Sequence, residues 1–106
     1  MLMIEIASMG LKYTIVITNA ELRFGYNVAK SLCALPNVSV IAFGRTKRTM
    51  CRGLPNVVKE ASYPNPFLDP QGYANSINQA TAGMEHVVLI PTHEDIFVAT
   101  RFKSLT

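Results

Sequence analysis

The chain has no tryptophan, only two cysteines and two histidines among 106 residues, and 16% charged side chains. Each scarcity closes a class of function. Cys33 and Cys51 belong to no Cys-x-x-Cys pair, and neither stands at ligand spacing from His86 or His93, whereas a structural zinc site takes about four such ligands. No metal site is expected, and a reduced, cytoplasmic protein is the simplest setting for the thiols. No segment interleaves basic and aromatic residues, so nucleic acid is not an expected partner. The opening Met1-Leu-Met-Ile-Glu-Ile-Ala-Ser-Met9 is apolar but is broken by Glu5 and has no basic flank, which excludes a signal peptide or a membrane span. Met9-Gly10 is a candidate start, and residues 1–11 are read as an N-terminal extension to a single domain over 12–106.

What the chain does have is apolar residues, at 49% of the total, enough for one filled core and too many for a disordered chain. Their spacing alternates between two patterns. Tyr13 to Thr18, Val38 to Phe43, Val57 to Ala61 and His86 to Ile90 are short runs, three of them rich in β-branched residues, and read as strands. Leu22, Gly25, Val28, Ala29, Leu32 and Leu35 recur at helical spacing, and Thr18-x-x-Glu21 fits a capping box in front of them. Asp69-Pro70 opens a second helix with its stripe on Tyr73, Ala74, Ile77 and Ala80, and Gly83 stops it. Thr92-x-x-Asp95 caps a last helix reaching Phe102 or beyond. Strands alternating with helices imply an α/β fold, a three-layer α/β/α sandwich on a small parallel sheet. Right-handed crossovers give the strand order 3-2-1-4.

In that order the direction of winding reverses between the first and fourth strands, and ligands of open α/β sheets sit at such a point. The candidate substrate-binding residues are therefore Asn19, Ala20, Glu21 and Arg23 on one side, and Thr92, His93 and Glu94 on the other. Their chemistry is unlike a nucleotide site. A dinucleotide turn needs glycines that bring backbone amides to a pyrophosphate at a helix N-terminus. Here Thr18-Asn19-Ala20-Glu21-Leu22-Arg23-Phe24 contains none, Gly25 comes one turn later, and Glu21 would repel phosphate. A Gly-x-x-x-x-Gly-Lys-Ser/Thr loop is also missing. Gly44-Arg45-Thr46 after the second strand could suit an NADP 2′-phosphate, but it does not replace the glycine turn. No catalytic set stands out. His93 beside Glu94 and Asp95 reads as a proton carrier or, more plainly, as an exposed first-turn residue.

The positive charges are unevenly placed. Arg45, Lys47, Arg48 and Arg52 fall within eight residues that contain no acid, a pattern that suits a solvated loop or an anion-binding one. Cys51 shares that loop, and cations could depress its pKa; without a partner base it reads as a surface or half-buried thiol.

Three stretches, TIVITNAELRFGYNVAKSL, CRGLPNVVKEASYPNPFLDPQGYANSI and VVLIPTHEDIFVATRFKSL, together resemble the N-terminal, pre-ATP-grasp domain of ATP-grasp ligases. The similar members are the carbamoyl-phosphate-synthase-like and carboxylate–amine ligase proteins. The resemblance runs from residue 12 to the end and is carried best by the strand-turn-helix opening and by the strand closing in Ile-Pro-Thr-x-Glu. It implies a Rossmann-like sheet that does not itself hold nucleotide phosphates. ATP and Mg²⁺ would be bound by two further ATP-grasp subdomains, in cis or in a partner chain, while this domain walls the small-molecule substrate side of the cleft. By itself the chain is then expected to be inactive and to carry no cofactor. The alternative is a stand-alone Rossmann-like module for an anionic metabolite or NADP. A homo-oligomer is compatible with either, and no membrane partner is expected.

Overall fold

The first strand, β1 (Tyr13–Ile17), shows why the sheet is parallel: its residues are apolar on both sides, and Ile15, Val16 and Ile17 are all buried. The computed structural model describes residues 12–46 and 48–92. Along them β1 is followed by helix α1 (Arg23–Leu32), β2 (Val38–Gly44), β3 (Val57–Ser62), helix α2 (Pro70–Ala80) and β4 (Val87–Ile90). The four strands form one sheet in the order β3-β2-β1-β4 with every pairing parallel, which is the order that right-handed crossovers dictate. β1 runs in register with β2 from Tyr13–Val38 to Ile17–Ala42, and with β4 from Thr14–Val87 to Ile17–Ile90.

Alternation along the strands sorts the core into two layers. Ile15, Ile17, Val40 and Ala42 pack with Ala29 and Leu32 of α1. Val16, Ile41 and Phe43 pack with Tyr73, Ala74 and Ile77 of α2. The helices thus cover opposite faces, giving the α/β/α sandwich. Asp69 caps α2 by accepting from the Gly72 amide at 2.9 Å, with Pro70 in the first turn, where its missing N–H costs nothing.

The expected capping box of α1 is not formed. The helix begins at Arg23 with Leu22 as its N-cap, and no side chain caps it. Both intended partners are engaged elsewhere: the Thr18 hydroxyl accepts from the Thr92 amide at 3.0 Å, and the Glu21 carboxylate accepts from the Arg45 amide at 2.6 Å. Tertiary bonds at the strand tips have displaced a local one. As a result Leu22, expected on the buried stripe, is exposed. β3 also departs from simple pairing. Val40 faces Val57 but Ile41 faces Lys59, so Val58 is a bulged residue that projects into solvent at 63% exposure.

The expected extension over residues 1–11 and the expected last helix lie outside the described residues, as do Lys47, His93 and Glu94. Among the described residues no helix is long and apolar enough to cross a membrane.

Candidate functional site

The winding reverses between β1 and β4, and the chain leaving each strand is joined to the other there. The Thr92 amide donates to Thr18 Oγ1 at 3.0 Å, and Thr92 Oγ1 donates to the Thr18 carbonyl at 2.7 Å. Both residues are buried, so the pair of bonds fixes the two turns side by side at the carboxyl-terminal edge of the sheet. This reciprocal arrangement needs a hydroxyl at both positions and could not be read from either residue alone.

Beyond Thr18 the chain turns through Asn19, whose φ of 52° is a left-handed conformation that asparagine tolerates better than most residues. In a phosphate-binding turn the amides from here onward would face the ligand. In this chain three of them are bonded to protein. The Asn19 amide donates to the Tyr63 hydroxyl at 3.0 Å, the Ala20 amide to the Phe43 carbonyl at 2.8 Å, and the Leu22 amide to the Asn19 carbonyl at 2.9 Å. Tyr63 is held for this role by its neighbours. Its ring stacks on Phe43 with centroids 5.6 Å apart and meets Tyr73 at 4.8 Å, so the phenol is aimed by both β2 and α2. Sequence reading missed Tyr63, because only the fold brings the end of the third strand to the turn after the first.

Gly25 has a specific reason to be glycine. A Cβ there would lie 2.5 Å from the Asn19 carbonyl oxygen and 2.9 Å from its carbon. Helix α1 therefore rests directly on the turn backbone. Gly44 plays the matching part at the tip of β2, where a Cβ would press on the Glu21 carboxylate at 3.1 Å. Glu21 reaches across to that strand end rather than lying at the start of α1; its second oxygen, Oε1, is shielded and has no hydrogen-bond partner among the described residues.

The loop from β2 to β3 folds back over this turn. The Met50 amide donates to the Ala20 carbonyl at 2.9 Å, and Cys51 Sγ lies 3.9 Å from the same oxygen. Ala20 and Cys51 are fully buried. Ala20, named as a substrate contact, is thus a core residue whose side chain is closed to any ligand. Cys51 is not the surface or half-buried thiol expected from a basic loop. Burial pushes its pKa up, and the neighbouring Thr49 hydrogen bond only partly opposes this.

The cations of this loop divide in the structure. Arg52 Nε pairs with Glu60 Oε1 at 3.1 Å, and Glu60 Oε2 accepts from both the amide and the hydroxyl of Thr49, at 2.8 and 2.6 Å. Those Thr49 bonds, with Arg52 beside them, hold Glu60 below the usual carboxylate range. An acid from β3 therefore pairs with one cation of a stretch that has no acid in sequence. Arg45, Arg48 and Arg23 are exposed and have no acidic partner among the described residues. Arg45 follows the tip of β2 and Arg23 opens α1, so both flank Glu21.

The same edge carries exposed apolar side chains. Leu22 and Phe24 lie at the start of α1, Met50 in the loop over Ala20, and Phe67 and Leu68 between β3 and α2; Phe24 and Leu68 are 61% and 84% exposed. Among the described residues no group of three His, Cys, Asp or Glu is placed to hold a metal.

No protein-family model, curated protein or solved structure matches the chain. The reading of the site rests on its own geometry.

Proposed function

We propose that this chain is the substrate-side, pre-ATP-grasp-like domain of an ATP-dependent ligase of the carbamoyl-phosphate-synthase-like or carboxylate–amine ligase type, inactive without ATP-grasp subdomains. The observation that carries the reading is the turn after β1, three of whose amides are taken by protein. Its amides at Asn19, Ala20 and Leu22 are bonded to Tyr63, Phe43 and Asn19. Such a turn keeps the position of a nucleotide-binding loop while three of its amides serve the protein and no glycine lies between Thr18 and Phe24, as expected where ATP and Mg²⁺ are held by other subdomains. Exposed Leu22, Phe24, Met50, Phe67 and Leu68 along the same edge support a surface that a further domain covers. Asn19 and Arg23 are the described residues of that edge offered to a small-molecule substrate.

The test is the coding sequence downstream of this reading frame. An ATP-grasp segment found there and co-expressed with this chain is expected to co-purify with it and to release ADP in the presence of Mg²⁺ and substrate. Absence of such a segment, or an ATP-grasp polypeptide equally active without this chain, counts against the proposal.

A second reading draws on unpaired Arg45 and Arg48, which favour a stand-alone module for an anionic metabolite or NADP. Binding of NADPH or a small anion by the chain alone, resistant to salt, would select it.

A further inference from the structure

The face of the sheet under α2 is only partly covered. Tyr73, Ala74 and Ile77 seat the helix on Val16, Ile41 and Phe43, and the next face of the helix overhangs β3 without closing on it. The gap is an open cavity of about 390 Å³ whose lining includes Lys59, Glu60, Ala61, Ser76, Gln79 and Ala80. That volume lies in the range of small-molecule sites, and buried parallel sheets seldom leave such a space on one face.

Lys59 reaches this cavity because of the bulge at Val58. Val57 faces Val40, whose side chain is on the α1 side. Strict alternation would put Lys59 on that side too. The bulge instead sets it opposite Ile41, on the α2 side, and returns Glu60 to the α1 side, where Thr49 and Arg52 bind it. Bulges re-aim side chains in this way, often beside functional sites. Lys59, itself exposed, borders the cavity with no ion-pair partner among the described residues, beside Ala61, Gln79 and Ala80; Glu60 also lines the cavity, and its carboxylate is held by Thr49 and Arg52.

We infer that this groove, apart from the edge discussed above, is a binding site for a small organic anion with a short apolar tail. Lys59 takes the carboxylate, Gln79 supplies a hydrogen bond, and the tail rests on Ala61 and Ala80. An edge-strand lysine also discourages strand-to-strand aggregation, and the test separates the two roles. The chain is titrated with butyrate and with the isosteric neutral butyramide while amide resonances are followed by NMR. Butyrate is expected to shift Lys59, Ala61, Gln79 and Ala80 saturably, and butyramide to bind about tenfold more weakly or worse, the loss of a charge-assisted hydrogen bond. Lys59→Glu retains a charged edge and should fold and stay monodisperse yet lose the butyrate response; Lys59→Arg should keep it. The proposal is overturned if butyrate gives no saturable shifts, if butyramide binds equally well, if Lys59→Glu binds like the parent chain, or if the shifts centre on Arg45 and Arg48.

Discussion

Replacing Gly25 probes the closest contact in the candidate site. An added Cβ would meet the Asn19 carbonyl oxygen at 2.5 Å, the Asn19 carbon at 2.9 Å and the Thr18 carbonyl oxygen at 3.0 Å. All three are backbone atoms, fixed in turn by Thr92, Tyr63 and the amide of Leu22. Neither side can yield by rotating a side chain, so α1 must lift from the turn. Overpacking of this kind costs about 1–3 kcal/mol, and the rigid partner places it at the upper end. Alanine recovers about 1 kcal/mol of helix propensity over glycine, leaving Gly25→Ala destabilised by about 2 kcal/mol. Valine adds two more methyl groups and loses that recovery, so Gly25→Val should cost about 3 kcal/mol or more. With no tryptophan, unfolding is best followed by far-UV circular dichroism in urea. Asn27→Ala, at an exposed position on the same helix, is the control and should stabilise slightly through propensity alone. Gly25→Ala as stable as the parent chain would refute the contact and the phase of α1 with it.

Thr18→Val keeps the side-chain shape but leaves the buried Thr92 amide without its acceptor, and should lower stability by about 1–3 kcal/mol in the same melts. Unchanged stability would mean that the two turns are not joined there. Glu60 is a carboxylate with a depressed folded-state pKa, so its contribution is complete above the unfolded value of about 4.3 and is lost as pH falls below it toward the folded value. Glu60→Gln should therefore lose stability at neutral pH and show a shallower acid limb; parallel pH profiles would exclude the Thr49–Arg52 contacts as the cause. The two thiols should separate under a thiol reagent at neutral pH, with half-buried Cys33 labelled in the native state and Cys51 only on unfolding. Cys51 has a raised folded-state pKa, so its contribution is present below the ordinary thiol range and declines as pH rises through it. Native-state labelling of Cys51 as fast as Cys33 would show that the loop does not cover Ala20.

Periodicity was enough to place the sheet, because strands buried on both faces and helices with one apolar stripe leave distinct patterns over five to ten residues. Tyr13–Ile17 and the Tyr73, Ala74, Ile77 stripe are examples. Chain order and crossover handedness then gave 3-2-1-4 without further information. The site was less legible, since its bonds join residues far apart in sequence. Thr18 looked like a local cap for Glu21, but in the fold Thr92, 74 positions away, competes for its hydroxyl and wins. The Arg45–Arg52 stretch looked free of acid until β3 brought Glu60 to it. Cys51 reads as a surface or half-buried thiol because basic neighbours suggest a solvated loop; its burial follows from the loop packing down on Ala20, which no local pattern encodes. The bulge at Val58 is likewise invisible in a run of valines and charges, and it alone determines which face receives Lys59.

The central claim is that the turn after β1 has kept the place of a nucleotide loop and given its Asn19, Ala20 and Leu22 amides to the protein. Calorimetric titration of the chain with ATP and Mg²⁺ at physiological ionic strength tests it most directly. Exposed Arg23, Arg45 and Arg48 can attract a nucleotide at low salt, but that attraction is screened within about 8 Å at physiological salt. The expected result is weak heat at low salt that disappears as salt is raised, with no dependence on Mg²⁺ and no hydrolysis. Salt-resistant, Mg²⁺-dependent binding of ATP by these 106 residues would contradict the account and make the domain a nucleotide-binding module in its own right.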